Sequence, residues 1–355
     1  MDFVALETIR CLQRLDTRNE YFILVGDGPD RCLEETPNVH ILTLRCPSYP
    51  LWEQWALPRA VARIRPDLLH CTSNTAPVWG SAPLVVTLHD IIFLEKQAAR
   101  NTSLYQSLGR QYRRLVVPRI LPKCRKIITV SQFECDRIRT ALGLDPERIT
   151  AIHNGYNTRF RPMDDTAEVT KKYLPDPKYL FFLGNTDPKK NTPGTLRAYA
   201  EYVRRSASPL PLLVADLTVQ AAESILQQIG EPELIKMLRI PGYIPNSDLP
   251  AIYNGAAAFL YTSLRESFGI PQLEAMACGT PVVTSNTSAI PEIAGEGAIL
   301  VDPTAPSEIA DALVRLETDA AFRAEKIAYG LERVKLFSWE QTARKLLALY
   351  EQLIP

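Results

Sequence analysis

Short apolar runs alternate with longer stretches of helical periodicity along the whole chain. The runs Tyr21–Val25, Val39–Leu44, Leu68–Cys71, Leu84–Leu88, Lys126–Val130 and Ile149–Ile152 predict six strands. A polar, Pro-containing stretch at Arg159–Asp165 interrupts the pattern. Six further runs follow it, at Tyr179–Leu183, Leu212–Ala215, Leu238–Pro241, Ala257–Tyr261, Pro281–Thr284 and Ala298–Val301. Most are apolar throughout instead of alternating, as parallel strands covered on both faces are. Helical spacing fills the gaps, for example over Phe3–Leu15, Gln132–Leu142, Thr192–Arg205 and Glu308–Leu316. Ser131-Gln132-Phe133-Glu134 has the spacing of a capping box that opens one of these helices. The alternation predicts an α/β protein with mainly parallel sheets, in two copies, residues 1–160 and 161–337. A last helix at Trp339–Leu353 follows the second set, and residues 338–355 are expected to pack back on the first domain. The chain opens on a helix, whereas a doubly wound domain normally opens on a strand and a Gly-rich turn. Gly26-Asp27-Gly28 follows a strand but lacks a third glycine and a helix after it, so it reads as a turn.

The length of 355 residues suits two domains of about 150 residues each. With 46% hydrophobic and 23% charged residues the composition is globular, not disordered. A net charge of zero argues against a nucleic-acid binder. That zero hides an asymmetry: residues 1–160 carry 21 basic and 16 acidic side chains, the remainder 19 and 24. No apolar run is long enough to span a membrane, and Met1-Asp2-Phe3 lacks the basic start of a signal peptide. Seven cysteines, odd in number and without a Cys-x-x-Cys, favour reduced thiols in a cytoplasmic protein. Asp-x-Asp, metal-ligand spacing, a P-loop and Gly-x-Ser-x-Gly are all missing from the sequence, so neither a metal nor a cofactor is expected.

Candidate chemistry concentrates at Thr262–Thr284. A buried strand ends near Thr262, a short loop holds Glu266, and Pro271 stands where the first helical residue is favoured. The amides around Phe268, Gly269 and Ile270 then lie at a helix N-terminus, which suits phosphate, at the carboxyl end of a parallel strand. Glu266 on the loop and Glu274 in the first turns of the helix flank that terminus, placed to accept sugar hydroxyls. Taken alone, the same residues also read as a solvated helix glutamate and an acid beside the helix dipole.

The segment resembles the Glu-x7-Glu signature of family 4 retaining glycosyltransferases of the GT-B fold. Leu183-Gly184-Asn185-Thr186-Asp187-Pro188-Lys189-Lys190-Asn191, Ile152-His153-Asn154-Gly155, Thr87-Leu88-His89-Asp90, Ile128-Thr129-Val130-Ser131 and Gly242-Tyr243-Ile244-Pro245-Asn246-Ser247-Asp248-Leu249 resemble further stretches of that family, in order along nearly the whole chain. The resemblance implies two facing Rossmann-like domains with a cleft between them and metal-independent transfer of a hexose from a nucleoside-diphosphate sugar. It implies that Glu266 binds the transferred sugar, Glu274 the ribose hydroxyls, and Phe268, Gly269 and Ile270 the diphosphate or sugar through their amides. Lys190 neutralises the departing diphosphate, Gly184 and Asn185 border the donor, Ile244 meets the base through its backbone, and His89 approaches the sugar. Two departures stand out. Asn185 occupies a position where many relatives carry a basic residue, and the usual first strand and Gly-rich loop are lacking, so that the chain is expected to begin downstream of them.

Residues 96–126 carry nine basic side chains and no acidic ones. Leu104, Leu108, Tyr112, Leu115 and Val116 form a helical stripe there, beside Arg110, Arg113 and Arg114, and Pro118 is expected to kink or end the helix. Two readings stay open: a core-facing helix with a solvated flank, or a surface on which Arg110, Arg113, Arg114 and Lys123 hold anionic lipid or a lipid-linked acceptor. Sequence therefore points to a hexosyltransferase in cell-surface polysaccharide assembly, with a nucleotide-sugar donor and a glycan or lipid-linked acceptor, cytoplasmic and peripheral on the inner face of the membrane. A GT-B nucleotide-sugar epimerase and a catalytically silent scaffold of the same fold are the alternatives.

Overall fold

The computed structural model of the chain describes residues 2–28, 32–94 and 104–354. It divides into two compact units, Met1–Gly155 with Trp339–Pro355, and Tyr156–Ser338. Each is a parallel α/β unit, and all twelve predicted strands are present.

In the first unit β1 (Tyr21–Gly26) pairs in parallel with β2 (Val39–Leu44), Tyr21 opposite Val39. A second parallel sheet runs β3 (Leu69–Cys71), β4 (Leu84–Thr87), β5 (Cys124–Thr129), β6 (Ile149–Ala151) in that order. Among the described residues no ladder joins the two pieces, so β1 and β3 each keep one edge without a strand partner. Val86, Leu88, Val117, Ile120, Ile127 and Ile138 are buried around the four-stranded sheet. The capping residue Ser131 accepts from the Glu134 amide at 3.2 Å and starts the Gln132–Leu142 helix, which Gly143 ends in the left-handed conformation.

The helix Trp339–Leu353 belongs to this unit. The Trp339 ring meets the edge of Phe3 on the helix Asp2–Leu15 at 5.8 Å. Thr342 Oγ1 donates to the His153 carbonyl at 2.7 Å, and the Tyr350 hydroxyl lies 2.6 Å from His70 Nδ1. The other ring nitrogen of His70 meets Thr87 Oγ1 at 2.8 Å. Burial pushes the His70 imidazole down to about 4, so it bridges strand and helix as a neutral ring.

One expectation fails at the Leu104–Ile120 helix. Pro118 does not end it; the helix runs on to Ile120 and then tightens into the 3₁₀ turn Leu121–Lys123. A proline this close to the C-terminus removes only one late backbone bond. The buried face is Val116, Val117 and Ile120, while Leu108 and Leu115 are 65% and 58% exposed, so the core-facing stripe is narrower than expected. Lys96 and Arg100 lie outside the described residues, as does the side chain of Leu104.

The second unit holds a six-stranded parallel sheet, β7 (Tyr179–Leu183), β8 (Leu212–Ala215), β9 (Leu238–Gly242), β10 (Ala256–Tyr261), β11 (Val282–Ser285) and β12 (Ala298–Val301), in the order β12-β11-β10-β7-β8-β9. The strand order reverses between β7 and β10, so their carboxyl ends form the switch point where open α/β sheets bind ligands. One face is covered by Leu196 and Ala200 of the helix Thr192–Arg205 and by Ile309 and Leu313 of the helix Pro306–Thr318. On the other, the Tyr253 ring meets Phe181 at 5.2 Å and Phe259 at 5.0 Å, edge-on. Each such aromatic, fully buried, contributes about 1.5–3 kcal/mol.

Gly184 follows β7, where the sheet leaves no room for a side chain. A Cβ would lie 2.7 Å from the Phe182 ring and 3.0 Å from Val214, both buried. Gly184→Ala should therefore destabilise the protein by about 1–3 kcal/mol through overpacking. Urea unfolding followed by fluorescence checks this, and an unchanged midpoint would mean that the Phe182 ring can move aside.

Candidate functional site

Two loops meet at the switch point of the second unit. The loop after β7 makes a 3₁₀ turn, Pro188–Lys190, capped by Asp187, whose side chain accepts from the Lys189 amide at 3.1 Å. The next residue, Asn191, takes a left-handed conformation, and its side-chain amide donates to the Thr262 carbonyl at 3.1 Å. Thr262 follows β10, so this bond ties the two loops together. A second tie runs from the Leu264 amide to the Lys189 carbonyl at 2.7 Å.

These ties bring Lys190 to Glu266. The ammonium donates to Glu266 Oε1 at 2.7 Å, with both side chains largely buried. The Tyr261 ring lies 5.4 Å from the same ammonium. Burial, then the negative charge of Glu266, raises the Tyr261 phenol far above its ordinary value, so it stays neutral. Ser288 Oγ accepts from the Glu266 amide at 3.0 Å and steadies the loop. Lys189 is half-buried, with a more open side chain, and lies 3.7 Å from Asp187.

The chain then turns into a helix within a few residues. Gly269 has φ 98°, and a Cβ there would meet the Gln272 side-chain amide at 2.8 Å. Pro271 sits in the first turn of the helix Ile270–Ala277, where a missing N–H is harmless. First-turn amides of a helix have no acceptor within it, which makes this terminus a phosphate-ready edge. Phe268 is buried, edge-on to Phe337 at 5.9 Å.

Glu274, in the same helix, has a different environment. It keeps some solvent access but is enclosed by protein on most sides, and this desolvation pushes its carboxyl up to about 7. The charge of Arg159 opposes the shift. The buried Tyr253 hydroxyl lies in electrostatic range, without a well-formed hydrogen bond. Two carboxylates eight positions apart thus differ, one ion-paired and one desolvated.

Gly184, Asn185 and Ile244, also singled out in the sequence, lie in the segments after β7 and β9. Asn185 turns inward, its Oδ1 accepting from the Asp187 amide at 2.9 Å and its carbonyl from Thr192 Oγ1 at 2.6 Å. Gly184 leaves no room for a side chain beside Phe182 and Val214. Ile244, buried, follows β9, whose last residue Gly242 has φ 80°. Asp216, left-handed at φ 60° after β8, faces Lys190 electrostatically, and sequence reasoning did not single it out.

His89 belongs to the first unit, just beyond β4. It is buried; its amide donates to Asn74 Oδ1 at 2.6 Å, and its Nε2 lies 2.9 Å from the Thr72 carbonyl. A carbonyl only accepts, so Nε2 carries the proton and Nδ1 is the acceptor. Burial holds the imidazole below its ordinary value and hence neutral. Asn74, left-handed at φ 66°, gave no signal in the sequence, because its partner lies fifteen residues on. Arg110 and Arg114 donate through Nε to the Phe93 carbonyl at 3.3 and 2.6 Å. Arg113 is half-buried. Lys123 donates to the Val78 carbonyl at 2.6 Å and lies 5.0 Å from the Trp79 ring, which is 76% exposed. Among the described residues no helix is long and apolar enough to cross a membrane, and no group of His, Cys, Asp and Glu has the arrangement of a metal site.

Residues 165–333 match the family described as glycosyl transferases group 1, and residues 3–160 match glycosyltransferase family 4. The O-antigen chain mannosyltransferase B of Escherichia coli is 30% identical over 66% of this chain and 62% of its own length. A D-inositol 3-phosphate glycosyltransferase of Nocardioides sp. is 28% identical over 77% of this chain and 63% of its own. The chain thus spans less than two thirds of the length of these relatives. Among solved structures, a sucrose-phosphate synthase from Thermosynechococcus elongatus superposes with a TM-score of 0.74 at 24% identity, over 98% of this chain and 92% of that one. Anabaena HepE in complex with UDP-glucose gives 0.71 at 17% identity, over 98% and 96%. The architecture is the GT-B fold expected from the sequence.

A ligand whose hydroxyls donate to Glu274 binds better to the ionised carboxylate, the stronger acceptor. Because the folded-state value is raised, that carboxylate is protonated below about 7 and forms as pH rises through it. Affinity for a ribonucleoside diphosphate should accordingly rise between about pH 6 and pH 8. Glu274→Gln should flatten this rise in calorimetric titration. A slope retained in that variant would place the titrating group elsewhere.

Proposed function

We propose that this chain transfers a hexose from a nucleoside-diphosphate sugar to a glycan or lipid-linked acceptor in cell-surface polysaccharide assembly, with retention at the anomeric carbon. One observation carries the reading: at the β7/β10 switch point a lysine and a glutamate are paired beside the first turn of a helix. The site combines a cation, a helix N-terminus and two carboxylates, one ion-paired and one desolvated. The matches to both glycosyltransferase families support it, and so does the likeness to an O-antigen mannosyltransferase.

In this reading the diphosphate docks on the amides of Phe268, Gly269 and Ile270 and draws Lys190 away from Glu266. Lys190 then offsets the negative charge that builds on the leaving diphosphate. Glu266, released, accepts from hydroxyls of the sugar, and Glu274 accepts from the ribose. Neutral His89 presents Nδ1 to a sugar hydroxyl. The departing diphosphate itself takes the acceptor proton, so no separate base is required.

The assay is transfer or donor hydrolysis with a panel of UDP-, GDP-, ADP- and dTDP-linked glucose and mannose, with mannose the first choice. Proton NMR of the product reads the anomeric configuration. Lys190→Ala should raise the barrier by about 3 kcal/mol, within the range for one lost electrostatic donor. Turnover at the wild-type rate in that variant would sink the proposed role.

Peripheral membrane contact is the second part of the reading. Leu108 and Leu115 are exposed on the helix that carries Arg113 and Arg119, and Trp79 stands out beside Lys123. Such aromatic and basic side chains suit an anionic lipid surface, at about 1 kcal/mol per basic residue. Co-sedimentation with anionic vesicles should be strong at low salt and fade at high salt. Equal, negligible binding to neutral and anionic vesicles would remove this contact.

A further inference from the structure

Glu53 is a buried carboxylate, 2% exposed, to which nothing so far gives a task. It lies on the π-helical turn Trp52–Ala56, an irregularity frequent at functional sites. Four donors satisfy it, and none is charged. Tyr49 Oη at 2.7 Å and Thr75 Oγ1 at 2.5 Å bond to Oε1, and Gln54 Nε2 at 3.0 Å and the Tyr112 hydroxyl bond to Oε2. Its presence, with desolvation the larger cause, raises the phenols of Tyr49 and Tyr112, so both remain donors. A buried carboxyl group is costly to desolvate even with neutral partners, and an apolar residue of like volume would hold the fold at least as well. The arrangement therefore calls for a reason beyond packing.

That reason lies one residue along the chain. Gln54 grips the segment after Thr75 from both sides, donating to the Ala76 carbonyl at 3.1 Å and accepting from the Val78 amide at 2.8 Å. Thr75 is bound to Glu53, and Asn74, directly before it, holds the His89 amide. Thr72 holds the His89 ring. The left-handed turn at Asn74 is a sparsely populated conformation, which persists only where its surroundings over-determine it.

We propose that Glu53 is a positioning residue for His89: through Thr75 it anchors the Thr72–Asn74 loop that fixes both the place and the tautomer of the imidazole. This rests on the reading that His89 meets the transferred sugar. It assigns the buried carboxylate to the reaction and not to stability alone.

Two measurements on the full chain test it. The first needs no substrate. Nitrogen-15 NMR of the His89 ring should show a proton fixed on Nε2 in the wild type and a loss of that fixed tautomer in Glu53→Gln. An unchanged ring signature in a folded Glu53→Gln would overturn the proposal. The second uses the donor of highest turnover from the panel above. Glu53→Gln and Thr75→Val should each lower kcat by about tenfold or more at unchanged donor KM, as a small misplacement at a reacting centre does. Thr75→Ser, which keeps the hydroxyl, should retain kcat. The pair Glu53→Gln with His89→Ala should be no slower than His89→Ala alone, since residues that act as a unit do not add. An additive loss in the pair would mean that Glu53 acts on something else and would overturn the inference. Full activity in His89→Ala would instead defeat the reading of His89, and the proposal with it, while the NMR result shows which link failed. Should Glu53→Gln not fold, Thr75→Val carries both measurements.

Discussion

With φ at 98°, Gly269 takes a backbone conformation in which a side chain would strike Gln272 and crowd the Tyr261 ring. That single turn closes the 262–269 loop after β10 and lets the chain enter the helix at Ile270. Everything chemical in the second unit follows from it. The helix starts directly after the turn, and the preceding loop holds Glu266 against Lys190. The same helix carries Glu274 into a desolvated place that Glu266 does not share. A longer or looser connection would leave both carboxylates in water, with ordinary and equivalent behaviour.

Much of this was legible in the residues because its cause is local. Continuous apolar runs gave twelve strands, and the helix limits at Gln132–Leu142, Thr192–Arg205 and Trp339–Leu353 agree with the observed ones. Pro271 and Gly269 announce a helix start in any sequence. What could not be read depends on partners distant along the chain. The bond between Asn74 and His89, the bonds of Thr75 and Tyr112 to Glu53 and the ion pair of Lys190 with Glu266 join positions 15 to 76 residues apart. Pro118 misled because its effect depends on how much helix remains after it. The stripe with Leu108 and Leu115 left core and surface both open, because periodicity reports a stripe and not what covers it.

The two units use buried polarity in opposite ways. In the second, a cation and an anion hold each other, a pairing that another ion of the right sign can break by exchange. In the first, His70 and His89 are both kept neutral by burial, and their ring nitrogens serve as fixed hydrogen-bonding points. One arrangement is ready to rearrange, the other resists it.

The division of the first unit's strands into two separate ladders has a consequence for its dynamics. A two-stranded parallel ribbon such as β1 with β2 has one row of backbone bonds and little independent stability. Phe22 and Leu42 are also partly exposed on it, so apolar burial compensates only in part. The ribbon therefore sits at the low end of the range of local opening energies, well below the six-stranded sheet of the second unit. Its amides would exchange with solvent deuterium long before those of β7 or β10.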